Sequence, residues 1–123
     1  MDKAAPIHMI KVSELKKLQA VFQKEPSEFI NLYVEDSAQK IQQLHTTLQA
    51  KQHKKLRNYA KELRLSSMEV GAVKFSFLCL SLELAASEHR LLDAKILLEK
   101  LDQCYPKLKV ELERVKSTLA VHQ

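Results

Sequence analysis

A single glycine, Gly71, separates two long stretches in which apolar residues recur every three or four positions. That spacing places the apolar side chains on one face of an α-helix. Before the glycine, this face comprises Leu56, Tyr59, Ala60, Leu63, Ser67 and Val70. Because glycine adopts positive φ without a Cβ clash, Gly71 is predicted to end one helix, and the next is predicted to begin at Ala72.

The composition favours helices throughout. Of 123 residues, 46% are hydrophobic, one is glycine and three are proline. An all-β fold or a Rossmann unit needs more turn residues than this. The length suits one hydrophobic core. We therefore interpret residues 1–123 as a single all-α domain.

The apolar periodicity predicts one short helix and four long ones. The short helix begins at Ser13 as its N-cap. The long helices are predicted at about 26–51, 52–70, 72–86 and 87–119, the last capped by Ser87. Short connections between them favour an antiparallel up-and-down bundle over about residues 26–119, with the short helix as a cap. Residues 1–11 are expected to be loosely held.

The helix after Gly71 is apolar on nearly all sides. Phe77, Leu80 and Leu84 lie outside its inward row. A helix with apolar residues all round is usually central or covered, so we expect one or the other for this helix.

Several classes of protein are disfavoured. No apolar run approaches the roughly 20 residues needed to span a bilayer, and the N-terminus has no signal-peptide core, so we expect a cytoplasmic protein. Cys79 and Cys104 fall on apolar helix faces, which is typical of small buried side chains rather than of a disulfide or ligands. Neither a phosphate-binding glycine loop nor a metal-ligand spacing occurs, so no cofactor or metal is expected.

Basic residues cluster before Gly71. They are Lys51, Lys54, Lys55, Arg57, Lys61 and Arg64, within a net charge of +5. Such a cluster can bind nucleic acid, but neither a helix-turn-helix signature nor an aromatic stacking platform accompanies it. A solvated helix face or a protein-binding face is the better interpretation.

The segment around Gly71 resembles the signature of histidine-containing phosphotransfer (HPt) domains, Ala-His-x-Leu-Lys-Gly, five residues, then Gly-Ala. The matching residues are Ala60, Leu63, Arg64 in place of lysine, Gly71-Ala72, and then Cys79 and Leu82-Glu83. The resemblance covers roughly Ile10 to Leu119 and implies the same helical bundle. Its register places Lys61 at the phosphorylated histidine and Leu65 at the first glycine.

The resemblance implies a phosphorelay protein, but the substituted residue cannot do the same chemistry. A neutral imidazole offers a lone pair to a receiver's aspartyl phosphate. A solvated lysine, with a pKa of about 10.4, has a free lone pair in only about one molecule in a few thousand at pH 7. Leu65 would also fill space that glycine leaves for the receiver. We therefore expect neither phosphate acceptance nor enzymatic activity.

Binding can persist without transfer, because receiver domains carry clustered aspartates that complement a basic helix. The hypothesis is a pseudo-HPt module that binds a response-regulator receiver, either a separate receiver domain or one belonging to a hybrid histidine kinase. The predicted binding residues are Lys54, Arg57, Lys61, Arg64, Leu65 and Met68.

Two alternatives remain open at the level of sequence. The chain is a scaffold or oligomerisation bundle that uses Phe77, Leu80 and Leu84, or it transfers phosphate through a different histidine. The histidines are His8, His45, His53, His89 and His122.

Overall fold

The protein is described here by a computed structural model of residues 9–121, with side chains to residue 119. Within this range there are five helices and no strands. They are α1 Val12–Phe22, α2 Pro26–Gln49, α3 His53–Glu69, α4 Val73–Ser87 and α5 Leu91–Val121. The all-α prediction is confirmed.

The four long helices form a ring in which each packs against two others. Helices α2 and α4 both pack against α3 and α5, so α2 lies diagonally opposite α4. Connections of three residues join successive helices, which makes neighbours antiparallel. Helix α1 rests on α2 and α3 at one end. No helix within residues 9–121 combines the length and apolar character that crossing a membrane requires.

At the ends of α2, α3 and α4, two successive backbone N–H groups donate to carbonyls of the last helical turn, and the first of the two donors belongs in each helix to a residue of positive φ. Those residues are Lys51, Gly71 and His89. Only one is glycine, and its neighbourhood explains why. The Lys11 N–H donates to the Gly71 carbonyl at 2.7 Å, and a Cβ at position 71 would lie 2.3 Å from the Lys11 oxygen.

The ends of some elements differ from the sequence prediction. Ile10 is buried and Lys11 is hydrogen-bonded to Gly71, so this part of the predicted loose segment is held firmly; residues 1–8 lie outside the described range. Ser13 lies inside α1 rather than at its N-cap, which is Lys11. Ser87 is the last residue of α4 and does not cap α5.

The core contains polar contacts that connect α2 to its two neighbours. The hydroxyls of Tyr33 and Ser67 are 2.7 Å apart between α2 and α3. Between α2 and α5, the hydroxyls of Ser37 and Tyr105 are 2.7 Å apart, and the Tyr105 hydroxyl also donates to the Val34 carbonyl. A buried hydroxyl left without a partner costs about 1–3 kcal/mol. These contacts therefore favour one axial register of α2.

Helix α4 only partly matches its prediction. Cys79 is buried in the core, as expected, whereas Cys104 on α5 is only half-buried, and both thiols are free. The outward side chains of Phe77 and Leu84 are exposed, however, and no element within residues 9–121 covers them. The interpretation of α4 as central or covered therefore does not hold for this outward side within residues 9–121, because α1 lies over α2 and α3 instead.

Candidate functional site

Lys61 lies at the middle of α3, eight residues from either end of the helix. The buried side of α3 consists of Leu56, Ala60, Leu63 and Ser67. At about 100° of rotation per residue, position 61 lies on the side of the helix away from these residues. Lys61 is accordingly exposed.

The structure brings all six predicted binding residues onto one side of α3, which we call the α3 face. The α3 face consists of Lys54, Arg57, Lys61, Arg64, Leu65 and Met68. Five of these residues are exposed, including the apolar Leu65 and Met68 at 48% and 45%. The face therefore combines cations with accessible apolar area.

Arg64 differs from the other cations of the α3 face. Its Nε donates to Glu83 Oε1 of α4 at 2.8 Å, and the two side chains are only 23% and 17% exposed. This contact connects α3 to α4, and the carboxylate offsets the charge of the guanidinium. Lys54, Arg57 and Lys61 form no ion pair with any residue in the described range. They are the cations left available to a partner.

On its α2 side, the α3 face is bordered by a charge cluster of one lysine and two carboxylates. Lys40 Nζ of α2 lies 3.4 Å from Glu62 Oε1 and 3.0 Å from Asp36 Oδ1. The hydrogen bond to Asp36, more than any other contact, raises the pKa of Lys40. Lys40 thus holds the carboxylate of Glu62, the residue after Lys61, toward α2. No sequence signal reveals this, because Lys40 lies on a different helix.

The first turn of α3 is basic. It contains His53, Lys54 and Lys55 but no acidic residue, and Gln52 supplies no side-chain cap. The N-terminus of a helix carries partial positive charge, so a cation there costs about 0.3–1 kcal/mol where an anion would stabilise. The basic residues at this end therefore lower the stability of α3 through the helix dipole.

The described histidines lie away from Lys61. His45 Nε2 on α2 is 2.8 Å from an Asp102 carboxylate oxygen on α5. His53 and His89 stack at one end of the bundle, with ring centroids 4.0 Å apart and 6° between the ring planes. His8 and His122 lie outside the described residues. Within residues 9–121, no three histidine, cysteine or acidic side chains come together to hold a metal.

Comparison with known proteins gives one informative result. Neither a family model nor a curated protein sequence matches this chain. Among solved structures, it is similar to histidine-containing phosphotransfer protein B from Pseudomonas aeruginosa PAO1. The TM-score is 0.83 at 25% identity, over 92% of this chain and 98% of that one. The chain therefore has an HPt-like helical-bundle fold, which links it to phosphorelay signalling.

Proposed function

We propose that this chain, which has the fold of a histidine-containing phosphotransfer protein, binds a response-regulator receiver domain through the α3 face without accepting phosphate. One observation carries the proposal: an exposed lysine occupies the middle of α3, where the HPt-like sequence pattern has its histidine. Partners of this class include receivers within hybrid histidine kinases.

The side chains around Lys61 support the loss of transfer. A protonated amine has no lone pair to attack an aspartyl phosphate. No described carboxylate contacts Lys61 to take its proton. One turn further along, the exposed Leu65 narrows the approach of a receiver loop to position 61.

The same face suits binding. A receiver's aspartate cluster is complementary to the unpaired cations Lys54, Arg57 and Lys61, and such complementarity speeds association and sets orientation. Leu65 and Met68 supply apolar area beside these charges. Arg64, already bonded to Glu83, contributes mainly by holding α3 against α4.

The binding test is a titration of candidate receiver domains followed by backbone amide shifts. We expect shifts concentrated in residues 54–68, and at least about tenfold weaker binding for Lys61→Glu and Arg57→Glu. Lys107→Glu on the diagonally opposite α5 is the matched control, because it changes net charge equally. Arg64→Glu is unsuitable, since it would place a carboxylate against Glu83. Binding that is indifferent to charge reversal at positions 57 and 61 would contradict the proposal.

The transfer test restores the family residues. We expect Lys61→His with Leu65→Gly to gain an acid-labile phosphoryl group from a phosphorylated receiver, whereas the unmodified chain gains none. Glycine within a helix costs about 1 kcal/mol, so helicity and unfolding are checked first and Leu65→Gly alone is the control. Acid-labile phosphate on the unmodified chain would overturn the non-accepting role.

That last result would favour the alternative of transfer through another histidine. Among those described, His45 is the one with an acidic partner, but the Asp102 contact occupies its Nε2. His53 and His89 shield each other's ring faces. Replacing each histidine by glutamine would then identify the acceptor.

A further inference from the structure

Helix α4 presents an apolar row to solvent. Phe77 and Leu84 are 59% and 49% exposed, and they lie seven residues apart, which places them on the same side of the helix. Leu80, between them in the sequence, is half-exposed beside the exposed Ser81, and Ile96 of α5 lines one groove with Leu84. Exposed apolar side chains that form a contiguous patch are typical of an interaction site. We call Phe77, Leu80 and Leu84 the α4 row.

Each end of α4 carries a charge of the wrong sign for the helix dipole. Lys74 lies in the first turn, where an acidic residue would be favourable, and α4 has none there. Glu88 directly follows the last helical residue, where a basic one would be favourable. Lys74 forms no ion pair within residues 9–121. Glu88 accepts from Arg90 through Oε1, which leaves Oε2 available.

We propose that two copies of this chain associate through their α4 rows, with the two α4 helices antiparallel about a twofold axis near positions 80 and 81. In that arrangement Phe77 lies level with the partner subunit's Leu84, because the two positions are equally distant from the axis. Lys74 lies level with residue 87 of the partner, beside the partner subunit's Glu88. A twofold axis repeats every contact, so both pairs form twice.

The charge pattern is what selects a second copy as the occupant. Each α4 carries both the cation and the anion that the antiparallel arrangement brings together, so the surface is complementary to itself. The wrong-sign charge at each helix end also gains a partner of opposite sign. The contact is small beside a standard interface of about 1,600 Å², so a reversible dimer with a micromolar dissociation constant is expected.

The α4 dimer does not depend on receiver binding. The α3 face lies on a different helix of the ring, and its residues are not part of the α4 row. Each dimer would therefore display two α3 faces. Either proposal can fail without the other.

Sedimentation equilibrium of two charge-reversal variants tests the arrangement. Lys74→Glu and Glu88→Lys should each weaken self-association at least about tenfold, because like charges then meet across the axis. An equimolar mixture of the two should form a heterodimer at least about tenfold tighter than either homodimer. In that heterodimer, a subunit with glutamate at positions 74 and 88 faces a subunit with lysine at both. Each change suits the local helix dipole, but Glu88→Lys also breaks the ion pair with Arg90, so circular dichroism is used first to check that both variants are folded.

A matched pair of apolar substitutions tests the centre of the patch. Phe77→Asp should abolish dimerisation, whereas Leu32→Asp on the opposite helix α2, where the leucine is 58% exposed, should not. A chain that stays monomeric at about 0.5 mM, or a mixture without heterodimer preference, would overturn the proposal. If the chain is monomeric and Phe77→Asp abolishes receiver binding, the α4 row binds a different protein. That result would also overturn the dimer proposal.

Discussion

At the scale of single residues, Gly71 shows a position determined by a contact with a distant part of the chain. Lys51 and His89 adopt similar positive φ angles at the ends of their helices without being glycine. What distinguishes position 71 is the Lys11 backbone, which crosses where a Cβ would be. The glycine therefore both ends α3 and admits the segment that leads into α1.

Gly71→Ala is expected to lower the free energy of unfolding by about 2–4 kcal/mol, because it adds a backbone clash to the strain of positive φ. Urea unfolding followed by circular dichroism measures the change. Lys51→Gly is the control for the φ angle alone and should change stability by less than about 1 kcal/mol. A Gly71→Ala cost as small as that would show that the Lys11 contact is loose.

At the scale of elements, α3 gives up stability for a basic first turn. Lys54 and Lys55 are adjacent, exposed and equally close to the positive end of the helix dipole. Only Lys54 lies on the α3 face, since one residue of helix rotates Lys55 toward α2, where it lines a groove with Gln43 and Tyr59. Substituting each lysine in turn therefore distinguishes the effect of charge on the helix dipole from its effect on receiver binding.

Lys54→Glu and Lys55→Glu are each expected to raise the free energy of unfolding by about 0.5–1 kcal/mol, because an acidic first turn suits the dipole. Only Lys54→Glu should weaken receiver binding. Thermal unfolding and the receiver titration give the two readouts. Equal loss of binding in both variants would indicate a general charge effect instead of a defined face.

At the scale of the whole molecule, a buried thiol and a buried phenol in the core make the free energy of unfolding fall at alkaline pH. Burial raises the pKa of the Cys79 thiol from its ordinary value near 9 to about 12. Burial also raises the pKa of the Tyr33 hydroxyl. Above pH 9 the unfolded chain releases the thiol proton while the folded chain retains it. This contribution to stability is therefore fully present below pH 9 and is lost as the pH rises toward 12.

Cys79→Ala is expected to flatten the alkaline loss of stability. One proton held only by the folded chain makes the free energy of unfolding fall by about 1.4 kcal/mol per pH unit. Between pH 9 and 11, the slope for the variant should be shallower by up to that amount. Urea unfolding under reducing conditions at a series of pH values provides the measurement. The half-buried Cys104, replaced by alanine, is the control and should change the slope less. Identical slopes for the unmodified chain and Cys79→Ala would contradict this assignment.

The amino-acid sequence by itself determined the helices, their buried faces, the end of α3 and the grouping of the six residues on the α3 face. These follow from helical periodicity and from the conformational freedom of glycine, which act over one or two turns. Local capping signals were less reliable: Ser13 and Ser87 were predicted as caps but lie within helices.

Only the tertiary structure decided which charges are available and which apolar rows are covered. It paired Arg64 with Glu83, tied Glu62 to Lys40, and left the α4 row open by placing α1 over α2 and α3. Each of these outcomes depends on residues far apart in the chain that meet only when the helices pack. Periodicity states which side of a helix faces inward, but not what lies against its other sides.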